Sequence, residues 1–213
     1  MRLTLKLATS LDGKIATASG ESRWITGEAS REQGHRLRAI HQAVMVGVET
    51  VIADDPQLTV RLKGYVGAQP ARIVLDSRQR IPLASKLVTT AGEAPTIVIS
   101  ARPARAALTE AGVEVITVDP REGRVDPAAA LAVLARRGFS AVMLEGGGQV
   151  AASFLSVALV DAMEWFRAPM VLGEEGRPAI GAFVLKDLTA APRFRRIAVE
   201  PLGEDLWERY ERS

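Results

Sequence analysis

Short unbroken runs of aliphatic residues, each bordered by a helical pattern, constrain this chain more than any other feature. AVMVG (43–47), RIVL (72–75), TIVIS (96–100) and AVML (141–144) contain no polar position inside the apolar core of the run. A strand wetted on one face alternates polar and apolar side chains, whereas such runs require cover on both faces. The expected class is therefore α/β, a mixed and mostly parallel sheet with helices on both faces.

The remaining pattern fills in that frame. Arg2 to Ala8 alternates, with Leu3, Leu5 and Leu7 on one face, as in a strand with one buried side. A helix capped by Thr26 or Ser30 is expected to run to about His41, burying Leu37 and Ile40. ETVIA reads as a short helix stopped by Asp54-Asp55-Pro56. Helix, strand and helix follow around Ala104–Ala111, over Val113–Val118, and after the Asp126-Pro127 start signal. The Gly146-Gly147-Gly148 turn leads into a helix over Gln149–Ser156. Met163–Arg167, Phe194–Val199 and Asp205–Tyr210 then read as strands without helices between them, which predicts an antiparallel C-terminal edge. No linker or repeat interrupts the pattern, so residues 1–213 are expected to form a single domain.

Composition removes several chemistries. The chain has no cysteine, which excludes disulfides, thiolate nucleophiles and cysteine-ligated metals, and only two histidines, His35 and His41. These lie six positions apart on the expected first helix, on different faces, with no serine or carboxylate partner evident. They read as surface or packing histidines, and a hydrolase triad has no support. Lys+Arg number 27 against 25 Asp+Glu, too even for a nucleic-acid or membrane footprint. Arg193, Arg195 and Arg196 form a small cluster that reads as a solvated strand edge. No apolar run approaches the ~20 residues a membrane span needs, and MRLTLKLATS lacks a signal-peptide core. The expected setting is the cytoplasm.

Several segments could carry chemistry. In LEGGGQVAASF (144–154) a glycine triplet enters a helix, where backbone N–H groups can face an anion. An ordinary tight turn is an equal alternative on pattern alone. Glu145, at the C-terminal end of a parallel strand, sits where α/β folds place ligands. Asp12-Gly13 is a plain turn signal, but Trp24 among Ser19, Ser22 and Arg23 must pack on something flat, more commonly core than a ligand ring. Asp54-Asp55 lacks a third oxygen-rich cluster, so no metal is expected. Arg38 and Arg61 could clamp a phosphate or lie on a solvated face. Ser77 and Arg78, after RIVL, could meet a nucleotide phosphate or serve a turn.

LKLATSLDGKIATASGESRWIT, RLRAIHQAVMVGVETVIADDPQLTVR, RIVLDS and MLEGGGQVAASFL occur in the order found in one family. The chain resembles the reductase domain of riboflavin biosynthesis, the C-terminal half of a bifunctional deaminase-reductase. The similarity extends through APMVLGEEGRPAIG. The deaminase zinc signature is missing, so the chain looks like a stand-alone reductase.

The resemblance implies a dihydrofolate-reductase-like fold, NADPH as hydride donor and a phosphorylated ribosylaminopyrimidine as acceptor, reduced to the ribityl form. It assigns cofactor contacts to Ala8, Trp24, Thr50, Asp54, Ser77 and the run Gly147, Gly148, Gln149, Val150, Ala151, Ala152 and Ser153. Substrate contacts fall on Lys6, Ser22, Arg38, Leu58, Arg61 and Glu145. Lys6, Asp54 and Glu145 are the catalytic candidates: Glu145 or Asp54 for the proton, Lys6 to polarise or orient, with Arg38 and Arg61 on the 5′-phosphate. A homodimer is implied by relatives of this fold. In MEWFRAPMVLGEEG, Trp165, Phe166, Met170 and Glu174 depart from the family pattern outside the carried-over contacts, which predicts altered packing or a modified pocket with the catalytic set intact. The competing expectations are a reductase of the diamino-pyrimidinone or of a pterin, and a nucleotide-binding protein without activity.

Overall fold

The computed structural model describes residues 1–213. Its elements run β1 (Arg2–Thr9), β2 (Lys14–Ala16), α1 (Glu28–Ile40), β3 (Ala43–Gly47), α2 (Val48–Asp54), β4 (Ala71–Leu75), α3 (Lys86–Thr89) and β5 (Thr96–Ser100). They continue with α4 (Ala106–Glu110), β6 (Glu114–Thr117), β7 (Pro120–Arg121), β8 (Arg124–Val125), α5 (Pro127–Arg136) and β9 (Ala141–Glu145). The last are α6 (Gly148–Ser156), β10 (Ala162–Arg167), β11 (Arg177–Pro178), β12 (Phe194–Leu202) and β13 (Asp205–Arg212). The chain resolves into two compact units, Met1 with His35–Met143, and Arg2–Gly34 with Leu144–Ser213.

The first unit holds four strands in the order β3-β4-β5-β6, every neighbouring pair parallel. All residues of β3 and β5 are buried, as unbroken apolar runs demand. α5 starts as its sequence predicts: Asp126 accepts a hydrogen bond from the Ala128 N–H and Pro127 occupies the first turn, where its missing N–H costs nothing. One charged side chain in these strands is buried. Arg72 on β4 is buried, and its guanidinium donates to the Thr90 and Ala94 carbonyls at 2.8 and 2.7 Å and to the hydroxyls of Thr90 and Thr96, both at 2.7 Å.

The second unit has strand order β12-β13-β10-β1. β1 and β10 are parallel, with Lys6 opposite Glu164 and Ala8 opposite Phe166, and the two later pairings are antiparallel. The expected antiparallel C-terminal edge is thus present, on an otherwise mostly parallel α/β fold. Leu3, Leu5 and Leu7 are buried as the alternation requires. A 3-10 turn at Leu188–Ala190 interrupts the stretch expected to be free of helix. β2 and β11, two or three residues each, pair antiparallel and had no signature in the sequence. His41 lies one residue beyond α1, not within it, and Ile40 is 73% exposed, not buried. Of the two residues expected inside, only Leu37 reaches the core; Ile40, the last residue of α1, faces out.

Candidate functional site

The second unit presents Lys6, Ala8, Ser22, Trp24, Glu145 and the start of α6; the first presents Arg38, Thr50, Asp54, Leu58, Arg61 and Ser77.

The entry to α6 is built for close backbone approach. Gly146 and Gly147 take φ of 80° and 86°, the left-handed region that glycine enters without steric cost. Gly147 is the N-cap and brings no side chain to it, and the first-turn N–H groups of a helix have no acceptor within the helix. Gly148 has a packing role: a Cβ there would lie 2.5 Å from the Pro178 carbonyl oxygen, and its own carbonyl accepts the Gly181 N–H at 2.7 Å. The tight-turn reading of the triplet thus holds at Gly148, and the two glycines before it leave the N-terminus of α6 without a side-chain cap. Glu145, half-buried, ends β9 directly before this turn.

Trp24 is 66% exposed, which overturns the commoner expectation that it belongs to the core. Its ring is held from the side of α1. The Arg31 guanidinium lies 4.5 Å from the ring centroid and donates to the Thr26 carbonyl at 2.7 Å, and Arg23 stands 5.9 Å away. The loop is anchored at its base by the buried Asp205 of β13, whose carboxylate accepts the Gly27 N–H at 2.7 Å and the Ser30 hydroxyl at 2.6 Å. An indole backed by a guanidinium and otherwise open can receive a flat ring. Asp12 keeps to its turn: it accepts from the Ser10 hydroxyl, then from the Leu172 and Gly173 N–H groups, which together lower its pKa to about 2.

Lys6 extends along Phe166, its ammonium 5.4 Å from the ring centroid. The wall expected to be altered is a network of its own. Phe166 is buried and stacks on Trp207 with centroids 5.9 Å apart, and the Trp165 indole N–H donates to the Thr9 hydroxyl at 2.8 Å. The Trp207 indole N–H donates to Glu164 at 2.7 Å, yet burial pushes the Glu164 carboxyl above its usual range, against the lowering effects of that hydrogen bond and of Arg209. Met170 and Glu174 are exposed, and the Glu174 carbonyl receives the Lys14 ammonium at 3.0 Å.

In the first unit, Thr50 and Asp54 sit one turn apart on α2 and hence on one face. Leu58 is buried with φ 55°, and Arg61 is exposed. Arg38 donates to the Thr59 carbonyl at 2.9 Å, so Arg38 and Arg61 are brought to one stretch of chain. Asp76 is buried and serves the turn, accepting the Ile81 N–H at 2.7 Å, whereas the Ser77 hydroxyl accepts the Val125 N–H of β8, 48 residues on, at 2.9 Å. Arg31 and Asp205 carry no signal in the sequence, and His35 reads there only as a surface or packing histidine. Each acts through a hydrogen bond or ring contact that only folding creates, although the spacing of His35 and Arg38 on one helix was a usable hint. No group of three or more His, Asp or Glu side chains is clustered to hold a metal ion, and no helix is long and apolar enough to cross a membrane.

The model of the RibD C-terminal domain family matches residues 2–207. The chain is 40% identical over 206 residues to the riboflavin biosynthesis protein RibD of Aquifex aeolicus, covering 96% of this chain and 56% of that protein. It is 38% identical over 211 residues to the 2,5-diamino-6-ribosylamino-4(3H)-pyrimidinone 5′-phosphate reductase of Methanothermobacter thermautotrophicus, covering 97% of this chain and 95% of that one. Acinetobacter baumannii RibD (form 2) superposes with a TM-score of 0.86 at 33% identity, covering all of this chain and 58% of that one. The chain thus spans little more than half the length of the RibD proteins it resembles.

Proposed function

Because the chain belongs to the RibD C-terminal domain family, we propose that it is an NADPH-dependent reductase of riboflavin biosynthesis, with residues 1–213 acting as one reductase domain. The substrate on this reading is 5-amino-6-(5-phosphoribosylamino)uracil, reduced to its ribitylamino product. The observation that carries the proposal is the nearly end-to-end match with an archaeal reductase of a ribosylaminopyrimidinone 5′-phosphate. That relative's own name favours, as second reading, the diamino-pyrimidinone in place of the uracil. The two share their hydride chemistry and differ at the heterocycle.

The residues present suit a reduced nicotinamide dinucleotide. A helix N-terminus behind two left-handed glycines and an exposed, guanidinium-backed indole fit a phosphate and a flat ring. The Gly147–Ser153 run, Trp24, Ala8, Thr50, Asp54 and Ser77 would hold the cofactor, which supplies a hydride when bound. Reduction at the sugar's anomeric carbon also needs the ring open and a proton moved. Glu145 or Asp54 holds that proton, and Lys6 orients the sugar. Arg38 and Arg61 bind the 5′-phosphate through their planar donor forks, and Ser22 and Leu58 complete the substrate contacts. The role of the protein is positioning and charge. The cytoplasm and a homodimer remain part of the proposal.

The test is loss of reduced-nicotinamide absorbance with the uracil substrate, with the diamino-pyrimidinone and with dihydrofolate. Turnover of the uracil supports the main reading, and turnover of the diamino compound alone supports the second. Tight NADPH binding without turnover of any would leave a binding protein and sink the enzyme assignment. Full turnover in Glu145→Gln would remove Glu145 from the chemistry.

A further inference from the structure

The stretch 57–61 is fixed almost residue by residue, and one of its fixing groups is a histidine that the reaction itself does not call for. Leu58 and Val60 are buried at 3% and 5% exposure. The Thr59 carbonyl is held by Arg38 at 2.9 Å. The Val60 N–H donates to the Gln69 side-chain oxygen at 2.7 Å, and the Gln69 amide returns a hydrogen bond to the Val60 carbonyl at 3.2 Å. The Arg61 N–H donates to Nδ1 of His35 at 3.2 Å. His35 and Arg38 are three residues apart on α1, so one helix face grips two adjacent peptides of the stretch, 59–60 and 60–61. The exposed Arg61 side chain leaves a backbone that is pinned on the residue before it and at its own N–H.

We propose that His35 is a positioning residue for Arg61, setting the direction from which that guanidinium meets the substrate's phosphate. The inference rests on the reading of Arg61 as a phosphate ligand. A backbone N–H can only donate, so Nδ1 of His35 must carry a lone pair and the neutral ring must carry its proton on Nε2. His41 is the opposite case: its Nδ1 lies 2.7 Å from the Leu37 carbonyl, which can only accept, so Nδ1 is protonated there. Loss of the His35 acceptor leaves a solvent-accessible N–H that water can satisfy, so folding is little affected. What is lost is the aim of Arg61, and small displacements of a substrate-positioning group carry large kinetic penalties.

Two independent measurements test this. The chain has two histidines, so imidazole nitrogen NMR yields two ring patterns, assigned with a His41→Gln variant. His35 is expected as the Nε2–H tautomer, and an Nδ1–H pattern for His35 overturns the proposal without reference to activity. In kinetics, His35→Phe is expected to raise KM for 5-amino-6-(5-phosphoribosylamino)uracil about three- to tenfold while kcat and the Kd for NADPH stay within about twofold. His35→Asn, which restores an acceptor, recovers most of that loss. An unchanged KM in His35→Phe, or KM, kcat and NADPH affinity moving together, overturns it. Arg61→Met separates the two layers. If it leaves KM unchanged, the phosphate reading fails and His35 falls with it; if it raises KM while His35→Phe does not, only the positioning role fails.

Discussion

The same substitution, glycine to alanine, should change stability in opposite directions at two helical positions. At an ordinary helix position alanine gains about 1 kcal/mol over glycine, because the glycine chain has more freedom to lose. Gly34 in α1 is such a position: an added Cβ would meet only the Lys6 side chain, its Cε at 3.8 Å, an ordinary contact distance. Gly148 in α6 is not. Its Cβ would stand 2.5 Å from the Pro178 carbonyl oxygen and 3.2 Å from the Gly181 N, both backbone atoms that no rotamer change can move. Making room requires the 178–181 segment to retreat and stretches the 2.7 Å bond from the Gly181 N–H to the Gly148 carbonyl. Overpacking costs about 1–3 kcal/mol and loss of a hydrogen bond about 1 more, which together exceed the propensity gain. Gly34→Ala should therefore raise Tm by about 2–4 °C, and Gly148→Ala should lower it by about 2–10 °C. Thermal and urea unfolding of the two variants beside the wild type supply the measurement. A Gly148→Ala protein as stable as Gly34→Ala would refute the argument, since propensity alone would then govern both sites. Under the proposed function, in which the Gly147–Ser153 run holds the cofactor, Gly148→Ala should also weaken NADPH binding and Gly34→Ala should not.

Other substitutions test the supporting framework. Arg72→Met should cost about 3 kcal/mol or more, because the Thr90 and Ala94 carbonyls lose a charged donor in the interior; a stability within ~1 kcal/mol of wild type would show that the cage is not stabilising. Asp205→Ala should cost about 1–3 kcal/mol and speed amide exchange at Gly27, with the Trp24 loop loosened at its base. For Glu164 the sign follows from its raised pKa: the folded state prefers the protonated carboxyl, a contribution fully present below the unfolded value of about 4.3 and lost as pH rises through the folded value. Glu164→Gln, which keeps an acceptor for the Trp207 indole, should thus be more stable than wild type at neutral pH and lose that advantage below about pH 4.3. Equal melting curves at both pH values would refute this.

Sequence periodicity was sufficient for the elements that carry their own signal. The unbroken runs of β3, β4, β5 and β9 demanded cover on two faces, and Asp126-Pro127 specified the start of α5 because capping is a local reaction between a side chain and the next turn. The antiparallel late strands were legible for the same reason, as was the resemblance, which resides in ordered motifs. β2, β11, β7 and β8 escaped because two or three residues hold no period. Trp24, Arg72 and His35 show the deeper limit. Exposure of the indole depends on Arg31 and Asp205, the burial of Arg72 on carbonyls 18 and 22 residues away, and the pinning of Arg61 on a histidine 26 residues back. Whether a polar side chain is buried, exposed or committed depends on which distant backbone groups folding brings within about 3 Å of it, a range at which hydrogen bonds act and which sequence separation does not encode.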